Sequence, residues 1–322
     1  MSHILGIIGL IFIFGIAFLI STDKRAIKMK PLLVMFVLQL VFGFVLLRTT
    51  FGTTVVSLLA KLFEQLLAFA GEGVNFVFAG VANKGSAPFF LTVLMPIVFI
   101  SAIIGILRYI KILPLFMKGV GLGLSKINGM GKLESYNGVA SAILGQSEVF
   151  ISIKKELPFL SEKRLFTMSV SAMSTVSMSI VGSYMALINS KYVITALVLN
   201  LFGGYILASI VNPYQLDEKE DELIIEEDKE QTFFQMLGEY ILDGFHVAIT
   251  VAAMLIGFVA LIAMINAIFS WIFGVTFQEI LGYIFAPFAF ISGIPWNEAV
   301  DAGSLMATSS SLNGLQQSFL YS

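Results

Sequence analysis

Three neighbouring polar residues, Gln146, Ser147 and Glu148, follow Gly145 in an otherwise largely apolar part of the chain. A carboxamide, a hydroxyl and a carboxylate together donate and accept hydrogen bonds, so this group could bind a polar ligand. Such groups are costly inside a membrane and mark a functional site there by default. The alternative is that Gln146 and Glu148 only cap a helix end at the membrane surface.

A second polar feature is a row of hydroxyl residues at every fourth position, which places them on one face of a helix. Its members are Thr167, Ser171, Thr175, Ser179 and Ser183. The row could face a polar ligand, but small hydroxyl residues also let membrane helices pack closely. The spacing leaves both interpretations open.

The composition predicts that these residues belong to a membrane protein. Hydrophobic residues make up 57% of the 322 residues, charged residues only 12%, and the mean hydropathy is +0.92. A soluble chain typically has about 25% charged residues. The net charge of −2 argues against a nucleic-acid partner, and the absence of cysteine excludes thiolate catalysis and cysteine-bound metals.

Six apolar stretches approach the roughly 20 residues that a helix needs to cross a bilayer. The predicted spans are 4–20, 31–47, 89–110, 164–188, 192–211 and 241–271. The stretch 51–78 mixes apolar with charged residues and is predicted to lie along the membrane surface. Gly119, Gly121 and Gly123 are predicted to pack a membrane-surface helix rather than to bind a nucleotide, because no GxGxxG pattern continues them.

The distribution of Lys and Arg predicts the orientation of these spans. If the loop 24–30 is cytoplasmic and the predicted spans alternate, 15 of the 19 Lys and Arg residues fall on the inner side. Basic residues are enriched in cytoplasmic loops. The sequence therefore predicts a multi-pass protein of the plasma membrane with its N-terminus outside.

The segment 134–156 contains the polar group at 146–148, with Lys132 just before it and Lys154 and Lys155 at its other end. Each arm beside Gly145 has roughly half the residues that a full crossing requires. We therefore predict a re-entrant hairpin that enters from the inside and turns near the membrane midplane. Such a hairpin is tolerated only where its tip is buried in protein or lines a wet cavity.

Three strings of this sequence closely resemble the concentrative nucleoside transporters, in particular the bacterial nucleoside permeases. They are Gly145-Gln146-Ser147-Glu148, the run 172–182 and the run 128–137. The resemblance extends over nearly the whole chain to about Thr308. It implies an all-α, polytopic membrane protein in which two inverted repeats each contribute a re-entrant hairpin and a broken helix.

The resemblance also implies the function and its residues: a cation-coupled symporter that imports nucleosides, forms a homotrimer, needs no cofactor and is not an enzyme. The substrate-binding residues that it implies are Gln146, Ser147, Glu148 and Ile180. Those that it implies for the coupling cation, if this is Na⁺, are Ser141, Leu144 through its backbone, and Thr175. The sequence does not distinguish Na⁺ from H⁺ coupling or purine from pyrimidine nucleosides.

The expected organisation has four parts. They are N-terminal spans with an interfacial helix at 1–88, a first transport repeat at 89–211 that contains the hairpin, an acidic cytoplasmic linker at 212–232, and the start of a second, incomplete repeat at 233–322.

The last residues depart from the family pattern. After Thr308, Asn313 keeps its expected offset, but Gly314 stands where the resemblance places a ribose-binding glutamate. The departure is expected of a truncated or frame-disrupted copy, or of a fragment of a longer product. We therefore expect that this chain by itself does not concentrate nucleosides. The alternative function is a non-transporting membrane scaffold, or a decayed paralogue that only oligomerises.

A membrane enzyme is a third possibility that the sequence supports poorly. Asp243 and His246 lie three positions apart and could form a dyad on a helix. No nucleophile accompanies them, and a histidine satisfied at a helix end is more common. We therefore predict no catalytic residues.

Overall fold

The computed structural model describes residues 2–78, 88–144, 149–150, 153, 156–216 and 231–320, and their side chains between positions 6 and 308. Nearly all of these residues are helical, and no strand occurs among them. The predicted all-α class is therefore confirmed. The tip of the predicted hairpin, 145–148, and most of the acidic linker, 217–230, lie outside the described residues.

The helices follow one another along the chain with short connections. They are α1 (Ser2–Leu19), α2 (Met29–Arg48), α3 (Thr50–Val77), α4 (Pro96–Tyr109), α5 (Ile112–Asn128), α6 (Lys132–Ile143), α7 (Glu162–Met173), α8 (Met178–Leu187), α9 (Ser190–Val211), α10 (Phe233–Phe273), α11 (Phe277–Ile291) and α12 (Trp296–Leu320). A π-helical turn, Phe90–Leu94, precedes α4, and a 3₁₀ turn, Leu157–Phe159, precedes α7.

Six segments of the described chain have the length and composition of a membrane span. Five of them coincide with predicted spans: α2, the π-helical turn with α4, α7 with α8, α9, and α10. The first predicted span, 4–20, corresponds to α1, an 18-residue helix that is not one of these six segments. With 41 residues, α10 begins eight residues before the predicted span and is about 60 Å long. This is twice the hydrocarbon thickness of about 30 Å, so only part of α10 can lie in the lipid interior.

The sixth segment is α3, for which the sequence predicts a location at the membrane surface. Its 28 residues are apolar enough to cross. The helix begins directly after α2, because the Thr49 side chain accepts a hydrogen bond from the Gly52 backbone N–H at 3.0 Å and so caps α3. Length and composition thus permit a crossing, and the surface location remains a prediction.

The chain divides into two compact units, 1–20 with 251–322 and 21–250. The predicted segment 1–88 therefore contributes to both units, and α10 passes from one unit into the other. This division into compact units does not test the predicted boundaries of the two transport repeats, which remain predictions.

In the unit formed by 1–20 and 251–322, α11 and α12 are joined by a bend of 115° and pack tightly through small residues. A Cβ atom on Gly303 would lie 2.5 Å from the Gly282 carbonyl oxygen and 2.8 Å from the Ala286 backbone nitrogen. The resemblance implies a second re-entrant hairpin in the last part of the chain, and this hairpin remains a prediction. In addition, α1 packs on α11, with the rings of Phe12 and Phe288 5.9 Å apart.

In the unit formed by 21–250, α6 lies at the centre and contacts α5, α7, α8 and α9. Around it, α2 packs against α3, α5 and α9, and the first half of α10 packs on α4. Arg108 Nη1 of α4 donates a hydrogen bond to Tyr240 Oη of α10 at 2.9 Å. This arrangement surrounds α6 with protein rather than lipid.

Candidate functional site

All of the short helix α6 except its first residue, Lys132, is buried. Every residue from Leu133 to Ile143 is buried, including four polar ones. These four are Glu134, Ser135, Asn137 and Ser141, and none exposes more than 1% of its surface. Polar groups at such depth need partners inside the protein. The function of α6 therefore depends on which groups face these four residues.

The first of them, Glu134, forms a buried ion pair with Arg164. Arg164 Nε lies 2.5 Å from Glu134 Oε1, and Nη2 lies 3.0 Å from Oε2, so both carboxylate oxygens are bound. Glu134 lies in the first turn of α6, where a carboxylate also interacts favourably with the helix dipole. Ser161 caps α7 by accepting the Arg164 backbone N–H, which places Arg164 in the first turn of α7. The pair thus joins the beginnings of α6 and α7.

Two tyrosines close this end of the site. Tyr205 of α9 is fully buried and donates its hydroxyl to the Ser135 carbonyl oxygen at 2.8 Å. Tyr214, just after α9, accepts a hydrogen bond from the Gly131 backbone N–H at 3.3 Å. Burial and the nearby Glu134 carboxylate raise the pKa of Tyr214, so its hydroxyl remains protonated and donates to that carboxylate. Glu134 is therefore held by both an arginine and a tyrosine.

One helical turn further along α6, Asn137 connects α6 to the middle of α7. Its Nδ2 donates to the Met168 carbonyl oxygen at 2.9 Å and to Ser171 Oγ at 3.1 Å. Its Oδ1 is buried and accepts no hydrogen bond. An unsatisfied buried acceptor costs about 1–3 kcal/mol, so such groups are rare in native proteins.

The hydroxyl row does not form one helical face, which corrects the interpretation from spacing. The chain leaves the helix between Met173 and Met178, so Thr167 and Ser171 lie on α7 whereas Ser179 and Ser183 lie on α8. The hydroxyls of Ser174 and Thr175 donate to carbonyl oxygens three residues earlier, both at 3.0 Å. Such bonds compete with the helical pattern. The broken helix that the resemblance implies is therefore present.

The residues predicted for the coupling cation lie near this break. Ser141 is buried in the last turn of α6 and donates its proton to the Asn137 carbonyl oxygen at 2.6 Å. Leu144 follows directly as the C-cap of α6, and Thr175 lies in the break between α7 and α8. Because both hydroxyl protons are donated to carbonyl groups, the lone pairs of these oxygens are available to a cation.

Of the residues predicted to bind substrate, only Ile180 lies within the described chain. It is half-buried in the first turn of α8, directly after the break. Gln146, Ser147 and Glu148 lie outside the described residues, which end at Leu144 on the α6 side.

The three glycines of α5 differ in their surroundings. A Cβ atom on Gly121 would lie 2.8 Å from Tyr136 Cα and 3.0 Å from Tyr136 N, both in the backbone of α6. A Cβ atom on Gly119 or Gly123 would meet nothing within 4 Å. Close packing is therefore confirmed for Gly121 alone.

Sequence reasoning missed the ion pair and the Asn137 contacts. A signal was present, because Glu134, Asn137 and Ser141 recur at three- and four-residue spacing and so share one face of a short helix. The partners, Arg164 and Ser171, follow about 30 residues later at similar spacing. Spacing alone could not show that the two faces meet.

A cavity of about 480 Å³ lies away from this site, between α3 and the turn from α8 to α9. Thr53, Glu64 and Lys191 are among its lining residues. None of the described residues predicted to bind substrate or cation lines it.

Three family models match the chain in succession. Residues 8–81 match the Na⁺-dependent nucleoside transporter N-terminus, 90–191 match the nucleoside recognition (Gate) family, and 192–316 match the Na⁺-dependent nucleoside transporter C-terminus. The resemblance seen in the sequence strings extends to about Thr308. The match to the C-terminal family model continues to residue 316 and so includes Gly314.

Similar proteins and solved structures agree with this match. The purine nucleoside transport protein NupG of Bacillus subtilis is 35% identical over 95% of this chain and 78% of its own length. The nucleoside permease NupC of Helicobacter pylori is 28% identical over 97% of this chain and 78% of its own length. Two structures of CNTnw, one inward-facing with substrate and one of an outward-facing variant, have TM-scores of 0.87 and 0.88 at 30% identity, and each match covers 95% of this chain. The inward-facing match covers 76% of that chain and the outward-facing match 77%.

These relatives are transporters rather than enzymes, and their likeness covers both the buried short helix and the broken helix described above. The chain belongs to the concentrative nucleoside transporter family.

Proposed function

We propose that this chain imports nucleosides across the plasma membrane by cation-coupled symport, as a homotrimer with its N-terminus outside. The observation that carries the proposal is the burial of α6 from Leu133 to Ile143, with its four polar residues, beside the broken helix α7–α8. Discontinuous helices that meet inside the protein form the substrate and ion sites of many secondary transporters. The family of the chain supplies the substrate class.

The proposal includes a re-entrant hairpin whose first arm is α6. This helix has 12 residues and is about 18 Å long, little more than half the thickness of the hydrocarbon layer. Beyond the tip, Val149 and Ile153 are fully buried, as a returning arm inside the protein requires. The N-terminus is proposed to be outside because this orientation leaves 15 of the 19 Lys and Arg residues on the inner side.

The proposed substrate site consists of Gln146, Ser147 and Glu148, which follow the end of α6, together with Ile180 at the start of α8. An amide and a carboxylate offer the donors and acceptors that a nucleobase edge requires. A ligand without matching groups would leave this amide and this carboxylate unpaired in a dry site, and the site would therefore bind such a ligand weakly.

Replacing Glu148 by Gln should weaken nucleoside binding at least tenfold. A hydrogen bond to a charged group is worth about 1.5–3 kcal/mol, and tenfold corresponds to about 1.4 kcal/mol. The measurement is equilibrium binding of labelled inosine, a purine nucleoside chosen because NupG is a purine nucleoside transport protein. Glu162→Gln, at an exposed position in the first turn of α7, is the matched control and should bind normally. Unchanged affinity in Glu148→Gln would remove Glu148 from the site.

We propose Na⁺ as the coupling ion, held by Ser141, the Leu144 backbone and Thr175. Two of the matching family models describe Na⁺-dependent transporters, and oxygen atoms are the ligands that hard cations prefer. Inosine accumulation in vesicles should therefore fall to the equilibrium level when choline replaces Na⁺, and should persist with a proton uncoupler. Accumulation that survives choline but is abolished by the uncoupler would instead identify H⁺ as the coupling ion.

The expectation that this chain by itself does not concentrate nucleosides is untested and corresponds to the second candidate function, a non-transporting scaffold or decayed paralogue. Gly314 favours this candidate because it lacks the carboxylate that the resemblance implies for ribose binding. The same preparation distinguishes the two candidates. A transporter accumulates inosine in vesicles, whereas a scaffold assembles into trimers in the membrane without accumulation.

A further inference from the structure

The cavity of about 480 Å³ between α3 and the turn from α8 to α9 lies where two spans end. In mid-helix, Gln39 Nε2 of α2 donates to the Leu199 carbonyl oxygen of α9 at 3.0 Å. Lys191 Nζ, in the first turn of α9, donates to the Leu47 carbonyl oxygen in the last turn of α2 at 3.3 Å. The two spans are therefore antiparallel. Because Lys191 also lines the cavity, the cavity lies at the level of the lipid headgroups.

Two opposite charges line this cavity without pairing with each other. Glu64 comes from α3 and Lys191 from α9, and no ion pair joins them. Within the described part of the chain, the Glu64 carboxylate has no hydrogen-bond or ion-pair partner. Lys191 uses one of its three protons on the Leu47 carbonyl oxygen and keeps two. Both charges are therefore available to a ligand that carries an anionic and a cationic group.

Hydroxyl groups line the same cavity. Ser57 lies on α3 and Ser190 begins α9, and among the described residues neither hydroxyl has a hydrogen-bond partner. Their protons can be donated to phosphate oxygens, which also bind lysine ammonium groups. The volume of the cavity falls within the roughly 300–1,000 Å³ that is usual for small-molecule sites. The lining thus fits a phosphate beside Lys191 and an ammonium beside Glu64.

Apolar side chains exposed to the membrane adjoin these polar groups. Leu187 and Ile188 line the cavity and are more than half exposed. A smaller recess along α3 shares Thr53 and Ser57 with the cavity and is also lined by the exposed Leu58. A charged cavity that continues into exposed apolar surface suits a ligand with a polar head and apolar chains better than a soluble zwitterion.

We propose that this cavity binds the headgroup of a zwitterionic aminophospholipid, a lipid that carries a phosphate and a primary ammonium group. The phosphate accepts hydrogen bonds from Lys191, Ser57 and Ser190, and the ammonium donates to the Glu64 carboxylate. The acyl chains lie along the apolar surface that Leu58 and Leu187 expose. None of the described residues predicted to bind substrate or cation lines the cavity, so this inference does not depend on the proposed substrate or coupling ion.

The test is the affinity of the purified full chain for phosphatidylethanolamine and for phosphatidylglycerol with the same acyl chains, measured in detergent by native mass spectrometry. The unaltered chain should prefer phosphatidylethanolamine by about fivefold, because only this lipid offers an ammonium to the exposed Glu64 carboxylate. Glu64→Gln should abolish the preference. Glu64→Lys should reverse it, and a reversal cannot follow from a failure to fold. Equal affinities in the unaltered chain, or an unchanged preference in Glu64→Gln, would overturn the proposal.

Glu72→Gln is the matched control, because Glu72 is an exposed carboxylate of α3 that does not line the cavity. This variant should keep the full preference, and the same loss in Glu72→Gln as in Glu64→Gln would overturn the proposal in favour of a general effect of surface charge.

Glycerophosphoethanolamine, which has the headgroup but no acyl chains, separates a lipid from a soluble zwitterion. It should bind about a hundredfold more weakly than the lipid or less, since each buried CH₂ group adds to affinity. Equal binding of the two would overturn the assignment to a lipid. Inosine binding and accumulation should remain measurable whatever the lipid result, so a failure here leaves the proposed transport function standing.

Discussion

Replacing Glu134 by Gln should lower the free energy of unfolding by about 3–5 kcal/mol, because the Arg164 guanidinium would remain buried without its counter-charge. Arg164 is 6% exposed and Glu134 is fully buried, so water cannot replace the lost partner. The pair also joins α6 to α7, and its loss removes the contact that aligns the beginnings of the two helices. Replacing Arg164 by Met should cost a similar amount, since Glu134 would keep only tyrosine and backbone neighbours.

The measurement is thermal unfolding of the purified chain in detergent, with the double variant Glu134→Met/Arg164→Met as the decisive comparison. Replacing both members of a buried ion pair by apolar residues is often nearly neutral. The double variant should therefore be more stable than either single one. Glu162→Gln is the exposed control and should leave the unfolding temperature unchanged. If the double variant lost as much stability as the two single variants together, the two residues would stabilise the chain by packing rather than by pairing of their charges.

Replacing Gly121 by Val should destabilise the chain by about 3 kcal/mol, the upper end of the usual cost of overpacking. The added Cβ would lie 2.8 Å from Tyr136 Cα, and the backbone of buried α6 cannot move aside as a flexible side chain can. The separation of α5 and α6 would increase, and the arm that leads to the predicted substrate residues would shift with it. Nucleoside affinity should therefore fall together with stability.

Gly119 and Gly123 provide matched controls within the same helix. Each has open space where a Cβ would lie, and alanine in a helix is more stable than glycine by about 0.5–1 kcal/mol. Gly119→Ala and Gly123→Ala should therefore raise the unfolding temperature, whereas Gly121→Ala should lower it. The same sign for all three substitutions would contradict the close approach of α5 and α6.

Much of the helical framework could be predicted from hydropathy. Stretches such as 31–47 and 192–211 coincide with α2 and α9 to within two residues, because a run of apolar residues of membrane length has few alternatives to a helix. Helix ends were less predictable, as α10 shows by starting well before the apolar stretch. The break after Met173 was implied only by resemblance, since the four-residue spacing of hydroxyls by itself predicted a continuous helix.

The amino-acid sequence by itself determined that this chain is a multi-pass helical membrane protein of a nucleoside transporter family, because hydropathy and the specific strings around Gly145 are local properties. The tertiary structure alone decided which of three similar glycines packs against a backbone, and that Glu134 pairs with an arginine 30 residues away. It alone also left one oxygen of Asn137 without a donor. Contacts of this kind depend on which helix faces meet. The spacing of residues along a helix predicts which of them share a face, but not which other helix packs against that face.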